Sequence, residues 1–92
     1  MKTYTIPKPV LRSIVSERTY QNYKWPGHKH TVGEWLLIME KCLSDGKRLY
    51  VTAHGNELKA LNEIRQVISV GIAALEQHGA PLRKFSTFAF SK

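Results

Sequence analysis

The chain has 92 residues, enough for one small domain that buries about 60–65% of the surface its unfolded form exposes, so its core is modest and self-association is expected. Fourteen Lys and Arg against seven Asp and Glu give a net charge of +7, which favours anionic partners such as nucleotides, nucleic acid or an acidic protein. A single cysteine, Cys42, excludes an internal disulfide, and no stretch approaches the roughly 20 apolar residues of a membrane span. A cytoplasmic protein with no membrane partner is the expectation.

Pro7 and Pro9 keep residues 1–8 extended as an arm, and Pro9 suits the first turn of a helix, where its missing N–H costs nothing. Val10, Leu11, Ile14, Val15 and Arg18 then recur at helical spacing and predict a short first helix over 9–22. Trp25-Pro26-Gly27-His28-Lys29-His30 reads as a solvated loop, because Pro26 biases Trp25 away from the α region and Gly27 supplies a turn. His28 and His30 lack neighbouring cysteines or acids and make a weak zinc signal, so no metal ligand is assigned.

A second helix is predicted over 31–51. Thr31 and Glu34 fit a capping box, in which each side chain accepts from the other residue's backbone N–H. Trp35, Leu36, Ile38, Met39, Cys42, Leu43 and Leu49 form a broad apolar stripe, with Trp35 as core and Cys42 as a small apolar filler. Gly46 is the weak point of the helix, costing about 1 kcal/mol relative to Ala.

The third helix, over 56–78, has Asn56 as N-cap and carries Leu58, Leu61, Ile64, Val67, Ile68, Ile72 and Leu75 at 3–4 spacing until Gly79 and Pro81 stop it. His78 complements the negative end of this helix. The fold expected is all-α: an antiparallel hairpin of two long helices, a shorter N-terminal helix, the extended arm and a Phe-rich tail. Phe85, Phe88 and Phe90 of that tail are costly to leave in water and are expected to pack on the bundle or on another subunit.

Glu17-Arg18, Gln21, Lys24-Trp25, Gly27, His30-Thr31, the Trp35 helix and the run Glu63-Ile64-Arg65-Gln66-Val67 together resemble small phage-type MazG-like proteins of the all-α nucleoside triphosphate pyrophosphohydrolase superfamily. The likeness spans roughly residues 10–80. In that family one long helix presents Glu-Glu-x-x-Glu and the next Glu-x-x-Asp, carboxylates that hold Mg²⁺ against a nucleoside triphosphate. The matching positions here are Lys41, Cys42, Asp45, Glu63 and Gln66, so Asp45 and Glu63 are the remnants of the acidic set. Mg²⁺ needs hard oxygen ligands, which an ammonium and a thiol do not provide. Starting one residue earlier makes Glu40 the first acid but puts Ser44 third, and the site is still not restored.

The resemblance with its altered acids implies a pseudoenzyme, with no cofactor unless a residual Mg²⁺ site works. It would bind or sequester a nucleotide or another phosphate-bearing ligand, in the host cytoplasm if phage-encoded, and so counter a host defence signal. Lys24, Lys41, Lys47, Arg48 and Arg65 are the candidate phosphate contacts, and Trp25 and Tyr50 the candidate base-stacking surfaces. Glu17 and Arg18 are candidates for ordering a loop or touching the ligand. Two alternatives stand beside this reading: a helical interaction or inhibitor protein that binds an acidic protein or nucleic-acid surface, and a weak Mg²⁺-dependent nucleotide pyrophosphohydrolase.

Overall fold

The computed structural model describes residues 2–52 and 56–84. Those residues form three α-helices, α1 (Lys8–Lys24), α2 (Val32–Thr52) and α3 (Glu57–His78), and no strand. Residues 2–7 have no regular structure and are exposed. The tail phenylalanines and residues 53–55 lie outside the described residues.

Each helix end is set by local chemistry. At α1 the Leu11 N–H donates to the Pro7 carbonyl at 3.0 Å, and Pro9 stands in the first turn, whose N–H groups have no intrahelical partner. The helix closes where the Trp25 N–H returns to the Gln21 carbonyl, and Gly27 at φ 68° turns the chain. At α2 the capping box is complete: the Glu34 N–H donates to Thr31 Oγ1 at 3.1 Å, and the Thr31 N–H donates to Glu34 Oε1 at 2.8 Å. Asn56 Oδ1 accepts the Lys59 N–H at the start of α3, and Gly79, at φ 110°, closes its end.

α3 is the central element, touching both α2 and α1, while α1 and α2 do not touch each other. Contacts of Trp35 with Gln77, Met39 with Gly71 and Gly46 with Glu63 run α2 and α3 in opposite directions. Trp35, Val70 and Ala73 form the buried centre, with Ile38, Met39 and Ala74 packed against them. Gly46 is buried in an unbroken helix. A Cβ there would lie 3.0 Å from Glu63 Cβ, so the glycine permits the close approach of α2 to α3.

The apolar stripes read from the sequence are only partly covered. On α1, Ile14 is buried, but Val10, Leu11 and Val15 are exposed, because this helix leans on α3 alone. On α2 and α3, Leu36, Leu43, Leu58, Leu61, Ile64, Ile68 and Leu75 are exposed as well. Their stripes are wider than the single seam between the two helices.

Candidate functional site

Two ion pairs fasten α1 to α3. Glu17 Oε1 accepts from Arg65 Nε at 2.9 Å, and Arg18 Nη2 meets Glu76 Oε1 at 2.6 Å. Arg18 also donates through Nη1 to Gln21 Oε1 at 2.9 Å, so one guanidinium fork joins the two helices. Glu17 and Arg18 order the helices and not a loop.

The loop between α1 and α2 is pinned by Gln77. Its Oε1 accepts from the His30 backbone N–H (3.2 Å) and from Trp35 Nε1 (3.1 Å), while its Nε2 donates to the His28 carbonyl (2.7 Å). His78 Nε2 adds a bond to the His30 carbonyl at 2.7 Å. The expectation of a solvated loop therefore fails at His30. Its ring lies edge-on to Trp35 at 4.7 Å and to His28 at 4.0 Å, and its Nε2 is buried without a partner among the described residues.

Between the end of α1, this loop and the α2–α3 seam lies a cavity of about 440 Å³, within the usual range for small-molecule sites. Trp25, His28, Lys29, His30 and Arg18 supply its aromatic and basic wall; Gln66 and Asn22 supply amides. Trp25 is fixed from its outer side, its ring edge-on to Tyr20 at 6.5 Å with Lys24 Nζ 5.3 Å from the indole centroid. Lys29 and Gln66 have no hydrogen-bond or ion-pair partner among the described residues.

The remaining residues proposed from the sequence do not converge here. Lys41 points to solvent and pairs with Asp45 at 3.3 Å, and Arg48 approaches the other oxygen of Asp45 at 3.9 Å. Arg65 is held by Glu17 and by Asn62 Oδ1. Lys47, Tyr50 and Glu63 line a separate groove of about 510 Å³ together with Leu43, Leu61 and Ile64. Of the candidate ligand contacts, Trp25 and Arg18 line the aromatic cavity, and Lys24 reaches only the Trp25 ring.

The five positions aligned with the acidic set also separate. Burial raises the Cys42 thiol pKa, and the Glu63 and Asp45 carboxylates add to that effect against the opposing charge of Lys41. Cys42, Asp45 and Glu63 thus share one neighbourhood, whereas Gln66 lines the aromatic cavity. A protonated thiol, a lysine committed to Asp45 and two acids do not suit Mg²⁺. Among the described residues no group of three or more His, Cys, Asp or Glu side chains is placed to hold a metal ion, and no helix is long and apolar enough to cross a membrane.

Sequence reasoning missed Gln77 and read His28 and Lys29 as a solvated loop, where they and Gln77 wall the cavity. Gln77 meets its partners across more than forty residues of chain, and nothing local to α3 signals that role. No family model matches the chain, and neither the curated proteins nor the solved structures provide a match.

Proposed function

We propose that this chain is a non-catalytic, MazG-like binder of a nucleotide or a related phosphate-bearing ligand, seated in the cavity beside Trp25. The observation that carries the reading is the composition of that cavity. An exposed indole offers a stacking face, Lys29 and the Glu76-paired Arg18 supply basic groups, His28 supplies an imidazole ring, and Gln66 and Asn22 supply amides of the kind that pair with base edges. The unpartnered His30 Nε2 is a further polar atom that a ligand would satisfy.

The acid-poor face at Lys41, Cys42, Asp45 and Glu63 supports binding without cleavage, since nothing there replaces the carboxylates that hold Mg²⁺ in the family it resembles. Lysine and arginine take over the neutralisation of phosphate. Sequestration of a signalling nucleotide is the use such a protein would have in a phage-infected cell.

Isothermal titration calorimetry against mono-, di-, tri- and cyclic nucleotides tests the proposal. One class is expected to bind with sub-millimolar affinity, and Trp25→Ala is expected to weaken it by the roughly 1–3 kcal/mol of a base–aromatic stack. Absence of heat with every class at sub-millimolar ligand overturns it. Release of pyrophosphate from a nucleoside triphosphate, abolished by Glu63→Gln, would replace it with the hydrolase reading.

A further inference from the structure

The polar groups that wall the cavity beside Trp25 divide into those committed inside the protein and those left for a ligand. Gln77 uses both ends of its amide on the loop and on Trp35, and Gln21 accepts from Arg18 and donates to Glu17. The Arg18 guanidinium is turned to Glu76 at 2.6 Å, to Gln21 and, at 3.4 Å, to Asn22 Oδ1. Free among the described residues are the Lys29 ammonium, the Gln66 amide, the Asn22 amide nitrogen and His30 Nε2.

Of these, Lys29 alone is a cation placed for a phosphate. Glu34 Oε1 lies 3.8 Å from His30 Nδ1 and draws the ring hydrogen to that side, which leaves Nε2 to accept from a hydroxyl or amino group. Arg18 is neutralised by Glu76. The positive excess of the chain does not gather here either, since Lys41 and Arg48 turn to Asp45 and Arg65 turns to Glu17. The cavity thus holds one uncompensated positive charge and, among the described residues, no carboxylate in its wall. Mg²⁺ carried in on a polyphosphate would meet no hard anionic ligand from the protein.

That charge count selects the phosphate. A phosphomonoester carries about −1.5 to −2 at neutral pH, and each further phosphate adds to it. Charge beyond what the wall balances must leave bulk water to sit against Trp25, Trp35, Ile38 and Val70, which is costly. A cyclic phosphodiester carries a single negative charge, the amount that Lys29 offsets. The volume, about 440 Å³, suits one nucleoside unit. We infer that the ligand class of this cavity is a nucleoside cyclic monophosphate, with its base on Trp25 and its one phosphate charge at Lys29, and not a nucleoside triphosphate. The inference rests on the nucleotide reading above and deepens it by naming the phosphate.

Calorimetry of the full chain with cyclic AMP, cyclic GMP, AMP, GMP, ATP and GTP, each with and without Mg²⁺, tests it. At least one cyclic nucleotide is expected to bind about tenfold or more tighter than the monophosphate and the triphosphate of the same base in either buffer. Lys29→Gln, at an exposed loop position, is expected to weaken that cyclic nucleotide about tenfold, as for the loss of one charge-assisted hydrogen bond, with the thermal unfolding curve unchanged. A monophosphate or triphosphate that binds within about tenfold of the cyclic form, or more tightly, overturns the inference and leaves the nucleotide reading standing. A cyclic nucleotide whose affinity Lys29→Gln leaves unchanged overturns it in the same way. Absence of heat with all of these ligands overturns the nucleotide reading along with it.

Discussion

Cys42 has the chemistry of a core residue. Burial raises its thiol pKa first, and Glu63 and Asp45 raise it further. Labelling by a thiol reagent near pH 8 is therefore expected to be more than about tenfold slower in the folded chain than in urea, where the thiol regains its ordinary acidity. Labelling at the unfolded rate would contradict this environment. Glu34 moves the opposite way: the Thr31 N–H and hydroxyl hold its carboxyl pKa below the usual value, with smaller help from His30 and His28. A depressed carboxylate stabilises the fold above its unfolded pKa and loses that effect as pH falls through the folded one. The stability difference between the native chain and Glu34→Gln should thus be constant near neutrality and vanish in acid below the ordinary carboxylate range. Urea unfolding at a series of pH values measures it. Both residues were legible in the sequence, Glu34 through its three-residue spacing from Thr31 and Cys42 through its place on the apolar stripe. Arg65 was not, because its engagement with Glu17 depends on how α1 crosses α3.

At the scale of the helix, two glycines of α2 have opposite roles. Gly33 is exposed in the first turn, and a Cβ there would approach nothing closer than Thr31 Oγ1 at 4.0 Å. Gly33→Ala is expected to stabilise the protein by roughly 0.5–1 kcal/mol through backbone entropy alone. Gly46 faces α3, where a Cβ would press on Glu63 Cβ at 3.0 Å and come within 3.9 Å of the Ala60 carbonyl. Gly46→Leu is expected to cost about 1–3 kcal/mol, since the overpacking outweighs the gain in helix propensity. Thermal or urea denaturation of the two variants decides between these signs, and a stabilising Gly46→Leu would show that the helices do not approach there. The three helices were readable from 3–4 spacing, caps and stops, all of which act over a few residues. The width of the stripes was the harder quantity. Leu36 and Ile64 fit a core face by period alone, and only the way α2 and α3 meet shows that they lie outside the fold's own seam.

In the whole molecule, α1 reaches the α2–α3 pair through two kinds of attachment, the ion pairs along α3 and the loop bonds gathered by Gln77. The ion pairs are part-exposed and add little individually, Glu76 being the more open partner of Arg18. Gln77 engages three groups at once, the His30 N–H, the Trp35 indole N–H and the His28 carbonyl, and so fixes the loop that walls the aromatic cavity. Replacing it with alanine leaves the indole N–H of a buried tryptophan without its acceptor. Gln77→Ala is therefore expected to lower stability by roughly 1–2 kcal/mol and to speed amide exchange in residues 27–31 more than in the middle of α2. The same variant should weaken any ligand held beside Trp25, although Gln77 lies at the wall and Trp25 stays supported by Tyr20 and Lys24. If the loop amides keep their protection in Gln77→Ala, the loop is held by the edge-on contact of His30 with Trp35 instead, and His30→Ala becomes the variant that must open it.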